Sequence, residues 1–453
     1  MNTVLMAVAA FVVAVGVLVT IHEYGHFWVA RRLGVKVLRF SVGFGAPLWQ
    51  RVAADGTEYR IAAIPLGGYV QMLDEREATV APHEVHRAFN RQSLWRRSAI
   101  VLAGPAANFL FAVLAYWLIL VIGVTGVRPL IGEVSVDSAA DRAELRRGDL
   151  IQRIDGREVN TWQDAGMALV DGAVDGRSAQ IQVRGADGER RSLVMDLSAA
   201  GRLEEPGRLL PDLGIEPYRP QIDAVLGEPM PEGPAREAGL VPGDRITALD
   251  GEAIAGWEEL VAGVRQRPGA TVRLQVERAY GRETVAVTLD RQERNGEEIG
   301  FLGATPEVPE GLWDRLYTVE RKGLLAATPA AFVRTAEYTG LTLRLLGRMV
   351  TGDVSLKNIS GPINIASYAG QSASIGLVSF LGFLAIVSIS LGIINLLPIP
   401  MLDGGHLMYF LVEAIKGSPV SERTQIAGQQ FGILALIGLM SLALYNDIVR
   451  LVG

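Results

Sequence analysis

Four uncharged, apolar stretches divide the chain of 453 residues: 3–21, 98–127, a part of 358–402 centred on 376–397, and 424–446. A hydrocarbon core about 30 Å thick takes roughly 20 residues of helix to cross, so the pattern predicts four transmembrane helices. Between the first two, strand-like runs at 39–45, 58–64 and 67–72, with Asp55-Gly56 as a turn signal, predict a small Gly-rich β region beside the membrane. Beyond Val127 the rhythm is that of a globular α+β region. Its runs at 181–183, 272–276 and 285–289 read as strands, accompanied by helical stretches near Trp162 and Trp257. Residues 311–350 carry apolar positions at helical spacing, interrupted by Arg315, Arg321, Lys322, Arg334, Arg344 and Arg348. The uncharged part, 323–333, is too short to span and contains Pro329, which predicts a pair of interfacial or surface helices.

The α+β region is internally duplicated. Ala143, Leu145, Gly148, Asp149, Ile151, Asp155, Gly156 and Trp162 recur as Ala238, Leu240, Gly243, Asp244, Ile246, Asp250, Gly251 and Trp257, eight identities at a constant offset of 95. Two copies of one module of about 90 residues follow, at 128–216 and 217–308, with the Pro/Gly-rich stretch 205–220 as their connection. The plan is then a membrane part at 1–127, the two modules, amphipathic helices at 309–357, and a second membrane part at 358–453.

Charge orients this plan. Arg31, Arg32, Lys36 and Arg39 at one end of the first loop, and Arg87, Arg91, Arg96 and Arg97 at the other, place that loop in the cytoplasm by the positive-inside rule. Both termini and the duplicated region then lie outside, and spans one and three end on the same face. The first stretch is not expected to be a cleaved signal peptide, since Met1-Asn2-Thr3 offers no basic n-region and cleavage would strand the residues that follow. With 49% hydrophobic residues, a simple soluble protein is disfavoured. The net charge of −6 is small, and the lack of a basic run outside the membrane flanks argues against nucleic acid as a partner. No cysteine is present, which excludes disulfides and Cys-ligated metal.

Candidate chemistry gathers at two polar clusters. His22-Glu23-Tyr24-Gly25-His26 closes the first span, and on a helix residues four apart share a face, so both imidazoles can reach one Zn²⁺ at about 2.0–2.1 Å. Glu23 is rotated about 100° from His22, a position that suits a general base better than a third ligand. Catalytic zinc uses three protein ligands, so another must come from elsewhere. Asp403 is the best candidate: it lies in the segment from Asn395 through Pro398 to Asp403-Gly404-Gly405-His406, at the inner end of span three, which topology brings to the depth of His22. Taken alone, Asp403-Gly404 also reads as a turn after a Pro-broken helix. His406 is a competing ligand or an interfacial residue, while His83 and His86 read as solvated loop histidines. Asn395 suits an oxyanion donor or a holder of the substrate backbone, and equally a helix cap.

These residues resemble the site-2 protease family of intramembrane zinc metalloproteases, whose signatures are His-Glu-x-x-His on one helix and an Asn-x-x-Pro-x-x-x-x-Asp-Gly-type segment on another. The likeness extends over the full length, including Gly104-Pro105-Ala106-Ala107-Asn108-Phe109 in span two and the two repeats, which look PDZ-like. The resemblance implies a multi-pass α-helical membrane protein with four transmembrane helices, a membrane-associated β region and two inserted α+β PDZ-like domains. It implies zinc held by His22, His26 and Asp403, with Glu23 as base and acid, and Asn395 and Pro398 near the substrate backbone. Gly43, Phe44, Gly45, Gly67 and Gly68 would belong to a β surface onto which an unwound substrate adds as a strand. The expected partners are the lipid bilayer and membrane-protein substrates already trimmed by an earlier protease: anti-sigma factors of the RseA type and remnant signal peptides. The expected place is a Gram-negative inner membrane, with termini and PDZ-like domains periplasmic and the active site near the cytoplasmic side. Oligomeric state is left open. Two other classes compete: a PDZ-based membrane scaffold or receptor with a structural zinc site, and a metal transporter. The transporter would need polar residues spread through the spans, whereas here they gather at one end.

Overall fold

The computed structural model describes residues 3–77, 79–198, 208–278, 280–294, 297–309, 311–352 and 354–452. Helix α1 (Thr3–Arg32) carries the apolar stretch and runs unbroken through the two histidines to a basic last turn. In place of three short strands, two long bent ones follow, β1 (Val37–Val52) and β2 (Glu58–Met72). Their bends fall at Gly43, Gly45 and Gly67, with φ of +90°, +88° and +123°, a region that side chains disfavour. Folding back lets residues 39–42 find partners both in 68–71 and in 58–61. Helix α2 (Leu94–Ile122) then returns antiparallel to α1. The two pack closely because Gly25 has no side chain: a Cβ there would lie 2.3 Å from the Ala103 carbonyl oxygen. The predicted second span ends early, since Gly123 (φ +98°) stops the helix and the chain continues as β3 (Val124–Val127).

The first module contains β4 (Ile131–Val134), α3 (Ala139–Arg142), β5 (Leu150–Ile154), β6 (Arg157–Glu158), α4 (Trp162–Val174), β7 (Ser178–Arg184), β8 (Arg190–Asp196), α5 (Leu209–Leu213) and β9 (Ile215–Pro217). The second contains α6 (Pro234–Glu237), β10 (Arg245–Leu249), β11 (Glu252–Ala253), α7 (Trp257–Arg265), β12 (Thr271–Arg278), β13 (Gly281–Thr288), β14 (Asp290–Arg294) and β15 (Glu297–Phe301). Their sheets have the same plan, β6-β5-β7-β8 and β11-β10-β12-β13, each with its own apolar core. The shared aspartates explain part of the repeat. Asp149 and Asp244, both buried, accept backbone N–H bonds from Arg146 and Val241 and pair with Arg191 and Arg278. Asp155 and Asp250 hold positive φ (50° and 51°) in the turns before each glycine. Of the expected connection at 205–220, residues 205–207 lie outside the described residues. Residues 208–217 instead complete the first core, because Leu209, Leu213 and Ile215 are apolar and bury there.

The chain then forms α8 (Leu312–Leu316), β16 (Tyr317–Glu320), which pairs antiparallel with β3, and α9 (Leu324–Thr351). The expected helix pair is therefore one short helix and one of 28 residues. Pro329 sits in the second turn of α9, where the helical carbonyl partner it lacks belongs to Leu325, an exposed residue. Ala327 and Ala331 bury α9 against α2, while Arg334 and Arg344 pair with Asp164 and Asp171 on α4.

The apolar stretch 358–402 contains two helices, α10 (Pro362–Ile375) and α11 (Leu377–Leu396), separated at Gly376 (φ +138°). Asp403, where a turn competed with ligation, opens a helix, α12 (Asp403–Lys416), and the chain ends in α13 (Glu422–Val452). Among the described residues α1, α2, α11 and α13 are long and apolar enough to cross a membrane. Helix α10 joins them: Gly370 packs on Ala7 of α1, and buried Asp447 of α13 accepts N–H bonds from Gly361, Ile363 and Asn364 at its N-terminus.

Candidate metal centre and active site

Packing of α1, α2, α11 and the start of α12 brings the two polar clusters together. The Nε2 atoms of His22 and His26 are 3.3 Å apart, and Oδ2 of Asp403 lies 3.2 Å from the first and 3.4 Å from the second. Metal–ligand bonds of about 2.0–2.1 Å at tetrahedral angles space ligand atoms about 3.3 Å apart. The triangle therefore fits zinc without adjustment. Oδ2 of Asp403 is also buried with no hydrogen-bonding partner, an orphan that a cation would satisfy. Burial would raise the Asp403 carboxyl, but the adjacent imidazoles of His22 and His26 outweigh it and hold the pKa down to about 2.

Local sequence explains how Asp403 arrives. After α11 the chain turns tightly, with Ile399 N–H donating to the Leu397 carbonyl at 2.7 Å and Met401 forced to φ +99°. Gly404 and Gly405 let the first turn of α12 lie on that loop: a Cβ on Gly404 would be 2.2 Å from the Leu397 carbonyl oxygen. Asp403 sits in that first turn, where the helix dipole favours a carboxylate. Arg97 of α2 holds α12 from below, bidentate to Glu413 at 2.5 and 3.2 Å and stacked over Phe410.

A cavity of about 720 Å³ opens on the cluster. It is lined by His22, Glu23, His26, Asn395, Asp403 and His406, and on one side by residues 68–72 of β2. Gly68 packs against Glu23, where a Cβ would come within 3.1 Å of its Cγ, and the Val70 backbone amide lies beside the Glu23 carboxylate. Asn395, the penultimate residue of α11, faces the same space. Of the β-surface residues singled out, Gly68 lines the cavity. Gly43, Gly45 and Gly67 make the bends, and Phe44 stacks on Tyr69 at 6.1 Å. Pro398 is exposed in the loop before Asp403 and is not part of the lining. His406 reaches the cavity but not the three-residue cluster. His83 and His86 are exposed.

Two residues of α2 belong to this site and were not assigned a role from sequence. A Cβ on Gly104 would lie 2.2 Å from Nε2 of His26 and 2.9 Å from Cε1 of His22, so only glycine leaves room for both rings. Asn108, fully buried, places its amide 3.1 Å from Nδ1 of His22. Their signal was the Gly104-to-Asn108 spacing of one helical turn, which says nothing by itself about what it faces.

A bundle of apolar helices that buries two histidines, a carboxylate and a glutamate around one cavity defines a membrane-embedded metallohydrolase. Residues 10–439 match peptidase family M50. The regulator of sigma-E protease RseP of Escherichia coli K12 is 46% identical over 445 residues, covering 98% of each chain. Protease RseP of Yersinia pestis is 46% identical over 456 residues, and a putative zinc metalloprotease of Vibrio cholerae 42% over 455, both covering 100% of each chain. The chain belongs to peptidase family M50, and it is a zinc metalloprotease of the membrane.

Proposed function

We propose that His22, His26 and Asp403 hold the zinc, that Glu23 is the general base and acid, and that the enzyme cuts membrane-spanning substrates after their outer domains have been trimmed. The observation that carries this reading is the 3.2–3.4 Å triangle of donor atoms sharing one cavity with Glu23. Zinc, when bound, supplies Lewis acidity that polarises the scissile carbonyl and makes water nucleophilic near neutral pH. Glu23 takes the water's proton and returns it to the leaving amine. Asn395 holds the substrate backbone. Residues 68–72 offer a strand onto which an unwound segment adds, which exposes the carbonyl that a helix hides.

The named activity of the relatives supports a substrate of the anti-sigma type, whose cleavage releases a sigma factor; remnant signal peptides share the required single span. Arginine and lysine flanking the first loop support a cytoplasmic site in a bacterial inner membrane, with termini and duplicated modules periplasmic. The modules, with short helices and four-stranded sheets, are read as PDZ-like domains that exclude untrimmed substrates. A scaffold role is disfavoured because the metal cluster sits in a large cavity with a glutamate rather than in a closed structural site.

The test is cleavage of a purified single-span anti-sigma-type substrate lacking its outer domain, by the zinc-loaded protein in detergent. The parent is expected to cut it, while Glu23→Gln retains zinc and loses turnover by at least about 10²-fold. Comparable cleavage by Glu23→Gln would remove Glu23 from its role. No cleavage by a zinc-loaded parent would remove the substrate class.

A further inference from the structure

The metal cluster rests on one face of α2. Ile100, Gly104 and Asn108 follow one another at single-turn spacing, and each meets a histidine: the Ile100 carbonyl is 2.8 Å from Nδ1 of His26, Gly104 makes room for both rings, and the Asn108 amide is 3.1 Å from Nδ1 of His22. A carbonyl oxygen only accepts, so His26 carries its proton on Nδ1 and turns a bare Nε2 towards the cluster. Nothing comparable is forced at His22, because an amide has both a donor and an acceptor end. As placed, Nδ2 of Asn108 faces Nδ1, and Oδ1 is buried with no partner. Oxygen and nitrogen of an amide exchange places by a half-turn of the side chain, and chemistry decides between them.

The decision follows from the ring's other nitrogen. Nε2 of His22 sits 3.3 Å from Nε2 of His26 and 3.2 Å from Oδ2 of Asp403, the position of a ligand atom. A proton there would point into the cluster, so the proton belongs on Nδ1. Against an N–H donor, the amide nitrogen is repulsive and the amide oxygen bonds. We propose that Asn108 is a positioning residue for the zinc site: its amide oxygen accepts Nδ1–H of His22, fixing that ring's tautomer and orientation. The inference rests on the zinc reading above. Ser388 of α11 fixes Asn108 in turn, donating at 2.9 Å to its backbone carbonyl. Helix α2 therefore sets the tautomers of both histidines, one through a backbone carbonyl and one through a side chain.

The experiment measures zinc affinity of the purified full chain in detergent, by competition with a chelator, for the parent, Asn108→Leu, Asn108→Asp and His22→Ala. Asn108→Leu keeps the size and removes the acceptor. It is expected to weaken zinc by about 10–100-fold, as loss of an outer partner does. Asn108→Asp can only accept, so it is expected to stay within about threefold of the parent. A ¹⁵N spectrum of the histidine-labelled, zinc-loaded parent should show the His22 proton on Nδ1. Asn108→Leu binding zinc as tightly as the parent overturns the proposal. So does Asn108→Asp binding as weakly as His22→Ala, since that result makes the amide a donor. If Asn108→Leu does not fold, the aspartate variant and the spectrum decide. A parent that binds no zinc would fail the metal reading itself, whereas a parent that binds and a leucine variant that binds equally would fail only the role of Asn108.

Discussion

Gly104 shows how an absent side chain shapes the chemistry. Its missing Cβ is the space in which the His26 ring turns towards His22 and Asp403, so Gly104→Ala pushes Nε2 of His26 out of the triangle. The variant is expected to lose zinc affinity by about 10–100-fold while keeping a helix at α2, because alanine favours helix more than glycine does. Chelator competition and circular dichroism on one sample check both halves. Residues also show the limits of local reading. His22, Glu23 and His26 were legible because their relation is a helical spacing, whereas Gly104 and Asn108 acquire meaning only through the antiparallel contact of α1 with α2. Pro398, read from a motif, is exposed in the loop before Asp403 and is not part of the cavity lining.

Among the elements, α12 is the one that has to be brought to the two histidines of α1. It supplies the third donor, and what holds it is the bidentate Arg97–Glu413 pair, with both side chains at most 17% exposed. Arg97→Met keeps the apolar stem and removes the fork. It is expected to leave Glu413 unpaired, loosen α12 and lower proteolysis by about tenfold, with the change in kcat rather than in KM. A rate equal to the parent's would show that Gly404 and Gly405 suffice to place Asp403. The same scale shows what the polar face of 311–350 meets. The pattern predicts interfacial or surface helices, and in the structure Arg334 and Arg344 meet Asp164 and Asp171 of α4, so one face of α9 binds a protein module and the other the bundle. Periodicity identifies a helix with a polar face and does not say whether that face meets water, headgroups or carboxylates.

For the whole molecule, the first module is tied through α4 to α9, which packs on α2, by Arg334–Asp164 and Arg344–Asp171, while β3, which continues α2, pairs with β16, which leads into α9. The second is held by its own core and by the buried Asp244–Arg278 pair, whose side chains are 2% and 14% exposed. Burial pushes the Asp244 carboxyl up, but Arg278 and the Val241 amide outweigh it and hold the pKa below the usual range. A folded-state pKa below the unfolded one, ordinarily about 3.9, adds stability that is present above that value and lost as pH falls through the folded pKa. Arg278→Ala leaves the carboxylate buried and unpaired, so the second module is expected to lose about 3–5 kcal/mol at neutral pH. The gap between variant and parent should narrow as pH falls and close only below the parent's depressed folded-state pKa, where Asp244 is protonated in both. Calorimetry of the two proteins across pH tests this, and a pH-independent gap would assign the loss to packing.

The sequence by itself determined what depends on near neighbours in the chain. Apolar runs longer than a bilayer require spanning helices, a four-residue spacing puts two histidines on one face, and a constant offset of 95 requires two copies of one module. It also brought Asp403 to the right depth, because alternating spans return to the same face. Tertiary structure alone decided which groups meet across helices: the 3.2–3.4 Å triangle, the space at Gly104, the amide of Asn108 against His22, and β2 beside Glu23. Those contacts depend on the register and crossing of α1 on α2, fixed by the close approach of Gly25 to Ala103, and on the turn at Met401 that starts α12. The physical reason is range: backbone hydrogen bonds and side-chain periodicity act within a few residues, while packing joins atoms hundreds of residues apart.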